Sequence, residues 1–87
     1  MTATKHRLVI YHGRRRLGTG EDYVDPTSEE RLRELLTQMA EEASEAKWGR
    51  AREVRLDEWR LEVVPMRRRR RVATVTVDAE GRTQVKR

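Results

Sequence analysis

Eighty-seven residues suffice for one domain, and a domain of that size buries only about 60% of the surface its unfolded chain exposes, so its core is thin. The absence of cysteine excludes disulfide frameworks, zinc–thiolate sites and thiol nucleophiles. Charged residues make up 40% of the chain and its net charge is +5, and no apolar run approaches the ~18 residues of a membrane-spanning helix.

The opening segment, "MTATKHRLVIYHG", lacks the long apolar region of a signal peptide. The expected location is therefore cytoplasmic, without membrane attachment. "RLVIY", Arg7 to Tyr11, is short, β-branched and bounded by Gly13, which predicts a strand. "HGRRRLGTGEDYVDP" is punctuated by Gly13, Gly18, Gly20 and Pro26. It is either a loop or the return strand of a first hairpin.

A helix is predicted from about Thr27 to Trp48. Thr27 as N-cap with Glu30 three residues on makes a capping box. Glu29 and Glu30 suit the positive end of the helix dipole. Leu32, Leu35, Leu36, Met39, Ala40, Ala43 and Ala46 follow the three-four spacing of one buried face. That face narrows from Leu to Ala, and Gly49 is placed to end the helix.

"EWRLEVVP", Glu58 to Pro65, alternates Trp59, Leu61 and Val63 against Arg60 and Glu62, and Pro65 stops the strand. Val54 and Leu56 alternate in the opposite parity. Arg52 to Leu56 is either a short strand of its own or the bulged start of this one, with a turn near Asp57-Glu58. The C-terminal "VATVTVDAEGRTQVKR" is a hairpin. Asp78-Ala79-Glu80-Gly81 forms its turn, with Gly81 left-handed. Val77 then opposes Thr83 and Val75 opposes Val85. Ala73, Val75, Val77, Thr83 and Val85 share the inner face, and Thr74, Thr76, Gln84 and Lys86 share the outer.

Leu, Ile, Val and Phe together number seventeen of the eighty-seven residues, close to the ~20% below which chains tend to disorder. Their periodic placement argues for a folded chain. The fold class expected is α+β, as a single domain over residues 1–87. It is a two-layer sandwich of one long amphipathic helix on an antiparallel sheet of four to five strands, in the order β-(β)-α-β-β-β. A strand–helix–four-strand version would resemble the cystatin arrangement in topology alone. The glutamine-valine-glycine inhibitory loop of that family has no counterpart, since Gln84-Val85 is followed by Lys86, and no family is assigned.

The charge is unevenly placed. By formal count, residues 1–26 carry +2, the helical segment 27–48 carries −3, residues 49–66 carry 0 and residues 67–87 carry +6. Seventeen of the twenty basic residues are Arg, a bias that a GC-rich genome also produces, so position is better evidence than number. The even-numbered Arg60, Arg68, Arg70, Thr74, Thr76, Gln84 and Lys86 would point away from the helix, with Arg82 at the tip. The candidate phosphate-binding residues are Arg67, Arg68, Arg69, Arg70, Arg71, Arg82 and Lys86, assisted by Arg14, Arg15 and Arg16. Arginine suits bidentate phosphate contact. The bland readings are a solvated edge whose charges discourage aggregation, and ion pairing with the helix glutamates. The run also has a parity problem. Arg67, Arg69 and Arg71 share parity with Ala73, Val75 and Val77, whose face is buried. Either the strand overruns its helical cover there, or a bulge between Arg71 and Ala73 resets the alternation.

Aromatics are few: Tyr11, Tyr23, Trp48 and Trp59. Trp59 shares parity with Leu61 and Val63 and reads as core, and Trp48 as helix-end packing. Little is left for stacking bases on an open sheet, which favours backbone contact. His6 and His12 are too far apart to grip one metal, and Glu21, Asp22 and Asp25 read as a polar loop, so no metal or other cofactor is expected. No phosphate-binding loop, dinucleotide fingerprint or nucleophile elbow is present, and Ser28 and Ser44 have no evident base partner, so no enzyme is expected.

The leading expectation is a small non-enzymatic basic protein that binds nucleic-acid phosphates, DNA or RNA, through an arginine-rich C-terminal hairpin. The alternative is a protein-interaction module, such as a small inhibitor or adaptor of the kind mobile elements encode. It would meet an acidic protein surface through exposed strand edges and a two-signed surface. A homodimer through a sheet edge is compatible with both.

Overall fold

A computed structural model describes residues 3–49, 54–67 and 69–87. It has two layers. Five antiparallel strands form one sheet in the order β2-β1-β3-β4-β5, and one helix covers one face of it. The strands are β1 (Thr4–His12), β2 (Arg15–Val24), β3 (Trp59–Pro65), β4 (Ala73–Val77) and β5 (Thr83–Lys86), with α1 (Glu29–Trp48) between β2 and β3. The α+β sandwich read from the sequence is the architecture observed. Residues 12–26 resolve in favour of the return strand, so two strands precede the helix and the strand–helix–four-strand order is not formed.

Alternation produces the layers. On β1 and β3, Leu8, Ile10, Trp59, Leu61 and Val63 point at the helix and are buried. Leu32, Leu35, Leu36 and Ala40 of α1 answer them, and Ala73, Val75 and Val77 complete the core from β4. Towards the helix end the small residues Ala40 and Ala43 pack on the core. Ser44 is buried there, whereas Ala46, expected on the inner face, is exposed.

The helix begins one residue later than expected. Ser28 is the N-cap, its Oγ accepting from the Arg31 amide at 3.3 Å. Thr27 is drawn into the preceding turn instead. Its amide and hydroxyl both donate to Asp25 Oδ1, at 3.0 and 2.6 Å, so Ser28 and not Thr27 is the N-cap. Gly49 ends the helix at φ 80°, its amide donating to Glu45 O. That left-handed conformation favours glycine.

Between helix and β3, Leu56–Glu58 forms a single 3-10 turn. It reconciles the opposite parities of Val54–Leu56 and Trp59. The alternatives of a separate strand or a bulged strand over 52–56 are not found at residues 54–56, and residues 50–53 lie outside those described. The β4–β5 hairpin follows its expected register, Val77 with Thr83 and Val75 with Val85. Gly81 takes the left-handed turn position at φ 83°. Among the described residues no helix is long and apolar enough to cross a membrane.

Candidate nucleic-acid interface

Antiparallel pairing puts facing residues of neighbouring strands on the same side of the sheet. The face away from α1 follows from the register. Tyr23 pairs with Lys5, and Glu21 with Arg7, which pairs in turn with Val64. The next row is Thr19, Val9, Glu62, Thr74 and Lys86. Beyond it Arg16 pairs with Tyr11, which pairs with Arg60.

The described arginines of the run are not part of a strand. β3 ends at Pro65 and β4 begins at Ala73, so Arg67, Arg69, Arg70 and Arg71 lie between them, before the C-terminal hairpin, and Arg68 is outside the described residues. The parity problem is resolved at its end. The Val72 amide donates to Val63 O at 2.8 Å, while Ala73 is Val63's partner in register. Val72 and Ala73 both pack on the core side. The irregularity lies between Arg71 and Ala73, and the arginines before it are released from the pleat.

This connection lies against the open face. Arg67, Arg69 and Met66 line a concavity of about 740 Å³ with Arg7, Val9 and Val64 of β1 and β3, and with Arg16, Thr19, Gly20 and Glu21 of β2. Two arginine clusters fifty residues apart in sequence thus contribute to one site. None of Arg7, Arg16, Arg67 and Arg69 forms an ion pair with a described residue. The single carboxylate on the rim, Glu21, is 3.5 Å from Lys5 Nζ.

The remaining candidates have other surroundings. Arg71 lies 3.5 Å from Glu62 Oε2, which is also 3.9 Å from Arg60 Nε. Arg70 is exposed and does not line the concavity. Arg14 and Arg15 stand at the β1–β2 turn, at the Trp59 end of the sheet. Arg82 follows Gly81 at the tip of the β4–β5 hairpin, at the same end, where its amide donates to Asp78 Oδ1 at 2.8 Å. Lys86 is on the open face but on the far strand, opposite Thr74. Of the ten sequence candidates, Arg16, Arg67 and Arg69 come together.

Arg7 is the residue the sequence reading missed. Its signal was present: it shares parity with Val9 and Tyr11 and opposes Leu8 and Ile10. Tyr23 was also passed over, and at 64% exposure it is the most exposed large hydrophobic side chain described. Tyr11 carries the Arg60 guanidinium over its ring, 4.3 Å from the centroid. Arg60 Nε is buried without a hydrogen bond, its contact with Glu62 being electrostatic only.

On the helix side His12 packs against Trp59 and Trp48, with ring centroids 4.6 and 5.6 Å away. Its Nε2 lies 3.6 Å from Glu58 Oε1. His6 is buried, its Nδ1 2.8 Å from Thr4 O, an arrangement in which Nδ1 carries the proton. Among the described residues no three His, Asp or Glu side chains converge as metal ligands would. No family model, curated protein or solved structure matches the chain.

Proposed function

We propose that this chain is a non-catalytic binder of nucleic acid, holding backbone phosphates on the open face of its sheet at Arg7, Arg16, Arg67 and Arg69. The observation that supports this most is the pooling of arginines from three separate segments around one concavity, none of them ion-paired to a described carboxylate. A guanidinium with no internal anion is paired with solvent counterions, and a polyanion that replaces them gains from their release. The acidic side chains are concentrated elsewhere. Glu34, Glu41, Glu42 and Glu45 lie along the outer surface of α1, so the two layers differ in sign and a polyanion is steered to the sheet side.

The shape argues for phosphate rather than base readout. Tyr11 is covered by Arg60, and among the aromatics of this face only Tyr23 is strongly exposed. One exposed ring supplies a single stacking platform, fewer than a single-strand reader uses.

Binding of labelled mixed-sequence DNA and RNA to three proteins tests the reading. Arg67→Ala with Arg69→Ala is expected to weaken binding of wild type several-fold, and Arg82→Ala to leave it nearly unchanged. Equal loss in both variants would remove the concavity from the account. An acidic protein surface presents carboxylates to the same arginines. Capture from nuclease-treated lysate separates that reading, because a partner retained after nuclease treatment favours protein.

A further inference from the structure

The sheet has two outer edges, and they differ. β5 has four residues and is tied to the helix: Arg33 donates to Gly81 O at 2.6 Å and to Thr83 Oγ1 at 3.0 Å. β2 has ten residues and pairs on one side only, with β1. Its other side presents backbone N–H and C=O groups to solvent, a template for a further strand. Charges along it are segregated by sign. Arg15 and Arg16 stand at one end, Glu21 and Asp22 towards the other.

The irregularity in β2 gives this segregation a consequence. Ile10 pairs with Gly18, and Tyr11 with Arg16, so Leu17 is skipped. In a regular strand Arg16 and Glu21, an odd number of residues apart, would point to opposite faces. Skipping Leu17 resets the alternation. Arg16, Thr19 and Glu21 share the open face, and Arg15 and Asp22 share the helix face. The strand is therefore self-complementary when reversed upon itself.

We propose that the chain forms a two-fold homodimer by antiparallel pairing of β2 with β2 of a second copy, centred on Thr19. Thr19 lies opposite Thr19, Gly18 opposite Gly20, Arg16 opposite Glu21 and Arg15 opposite Asp22, with Leu17 bulged in each strand. A two-fold axis uses the same patch on both subunits, so each cation–carboxylate pair occurs twice. Parallel alignment in the same register sets like charges side by side and is disfavoured. Glu21 and Asp22 already meet Lys5 at 3.5 Å and Arg31 at 3.1 Å within their own chain. Their side chains are nevertheless 47% and 44% exposed, which leaves room for a second cation. Pairing closes the long edge and joins two sheets into one of ten strands, with both open faces on the same side. The proposal stands on the geometry of the edge and not on phosphate binding; in the dimer Arg16 meets the Glu21 carboxylate of the second copy, and Arg7, Arg67 and Arg69 remain for phosphate.

Light scattering and sedimentation of the full chain across a wide concentration range test it. Wild type is expected to dimerise. Arg16→Glu sets glutamate against Glu21 twice, and Glu21→Arg sets arginine against Arg16 twice. Either is expected to raise the dimer dissociation constant about tenfold or more, one such factor being about 1.4 kcal/mol. An equimolar mixture of the two variants restores both pairs in a heterodimer, and association should return. Circular dichroism melting checks that each variant is folded. If one is not, the chain carrying both substitutions is read instead, and it is expected to dimerise like wild type. A wild type that stays monomeric would overturn the proposal, as would single reversals without effect, a mixture that does not associate, or a doubly substituted chain that stays monomeric.

Discussion

Arg69 and Arg71 are two residues apart and have different surroundings. Arg71 lies 3.5 Å from Glu62, a carboxylate it shares with Arg60. Arg69 lines the concavity with Arg67, Arg7 and Arg16, with no described carboxylate paired to it. Replacing Arg71 removes one cation and uncovers one anion next to a half-buried guanidinium. Replacing Arg69 removes a cation from the site itself. Arg69→Ala is accordingly expected to lower the dependence of log binding constant on log salt by about one, as loss of one phosphate contact does, and to weaken all sequences alike. Arg71→Ala is expected to alter that slope less. Parallel salt series on the two variants make the comparison. In the core, Leu61 is fully buried at the centre of β3, between β1 and β4. Leu61→Ala is expected to cost about 2–5 kcal/mol of stability, the range for deleting such a side chain, read from the midpoint and slope of denaturant unfolding.

At the scale of elements, caps and turns set the boundaries. Ser28→Ala removes the acceptor for the Arg31 amide and is expected to destabilise the protein by about 1 kcal/mol. In the β4–β5 turn the Asp78 carboxylate accepts from the Arg82 amide, the Gln84 side chain and the Glu80 amide. The Arg82 amide bond is the largest cause that holds its pKa below the ordinary 3.8, against an opposing effect of desolvation. A folded-state pKa below the unfolded one contributes stability that is present above pH 3.8 and is lost as pH falls through the folded value. Wild type should therefore melt above Asp78→Asn at neutral pH, and the gap should narrow as pH drops below about 4. Melting curves of both proteins across that range are the check.

The same elements show what was legible in the sequence. β1, β3 and the C-terminal hairpin were readable because apolar and polar residues alternate cleanly and Gly81 marks the turn. The helix was readable from its Leu spacing, but its start was displaced by one residue because Asp25 captures Thr27, a competition between two turn-forming acceptors that spacing does not rank. β2 reads as either strand or loop because Gly18, Gly20 and the skipped Leu17 break its alternation. The arginine run was visible as a conflict of parity, but its position over the open face depends on where β3 ends and β4 begins. Arg7 was hidden for the same reason: which face of β1 is open is decided by the helix, which lies twenty residues further along the chain.

At the scale of the whole molecule, the two layers carry opposite charge. The helix surface presents Glu34, Glu41, Glu42 and Glu45, and the sheet surface gathers Arg7, Arg16, Arg67 and Arg69. The thin core fits this layout, since one covered sheet face supplies the apolar surface and the other face stays open. A four-arginine phosphate site makes a quantitative statement about salt. Each phosphate neutralised on a duplex contributes about −0.9 to the slope of log binding constant against log salt, and about −0.7 on a single strand. The most direct measurement is a salt titration of mixed-sequence DNA and RNA binding, with wild type beside the variant in which Arg7, Arg16, Arg67 and Arg69 are all Ala. Wild type is expected to bind at low ionic strength, with a slope between about −2 and −4 for three to four contacts, Arg16 being the one that a dimer would share with Glu21 of the second copy, and the variant to lose most of both affinity and slope. No binding by wild type at low salt, or an unchanged slope in the variant, would contradict the assignment of phosphates to the open face.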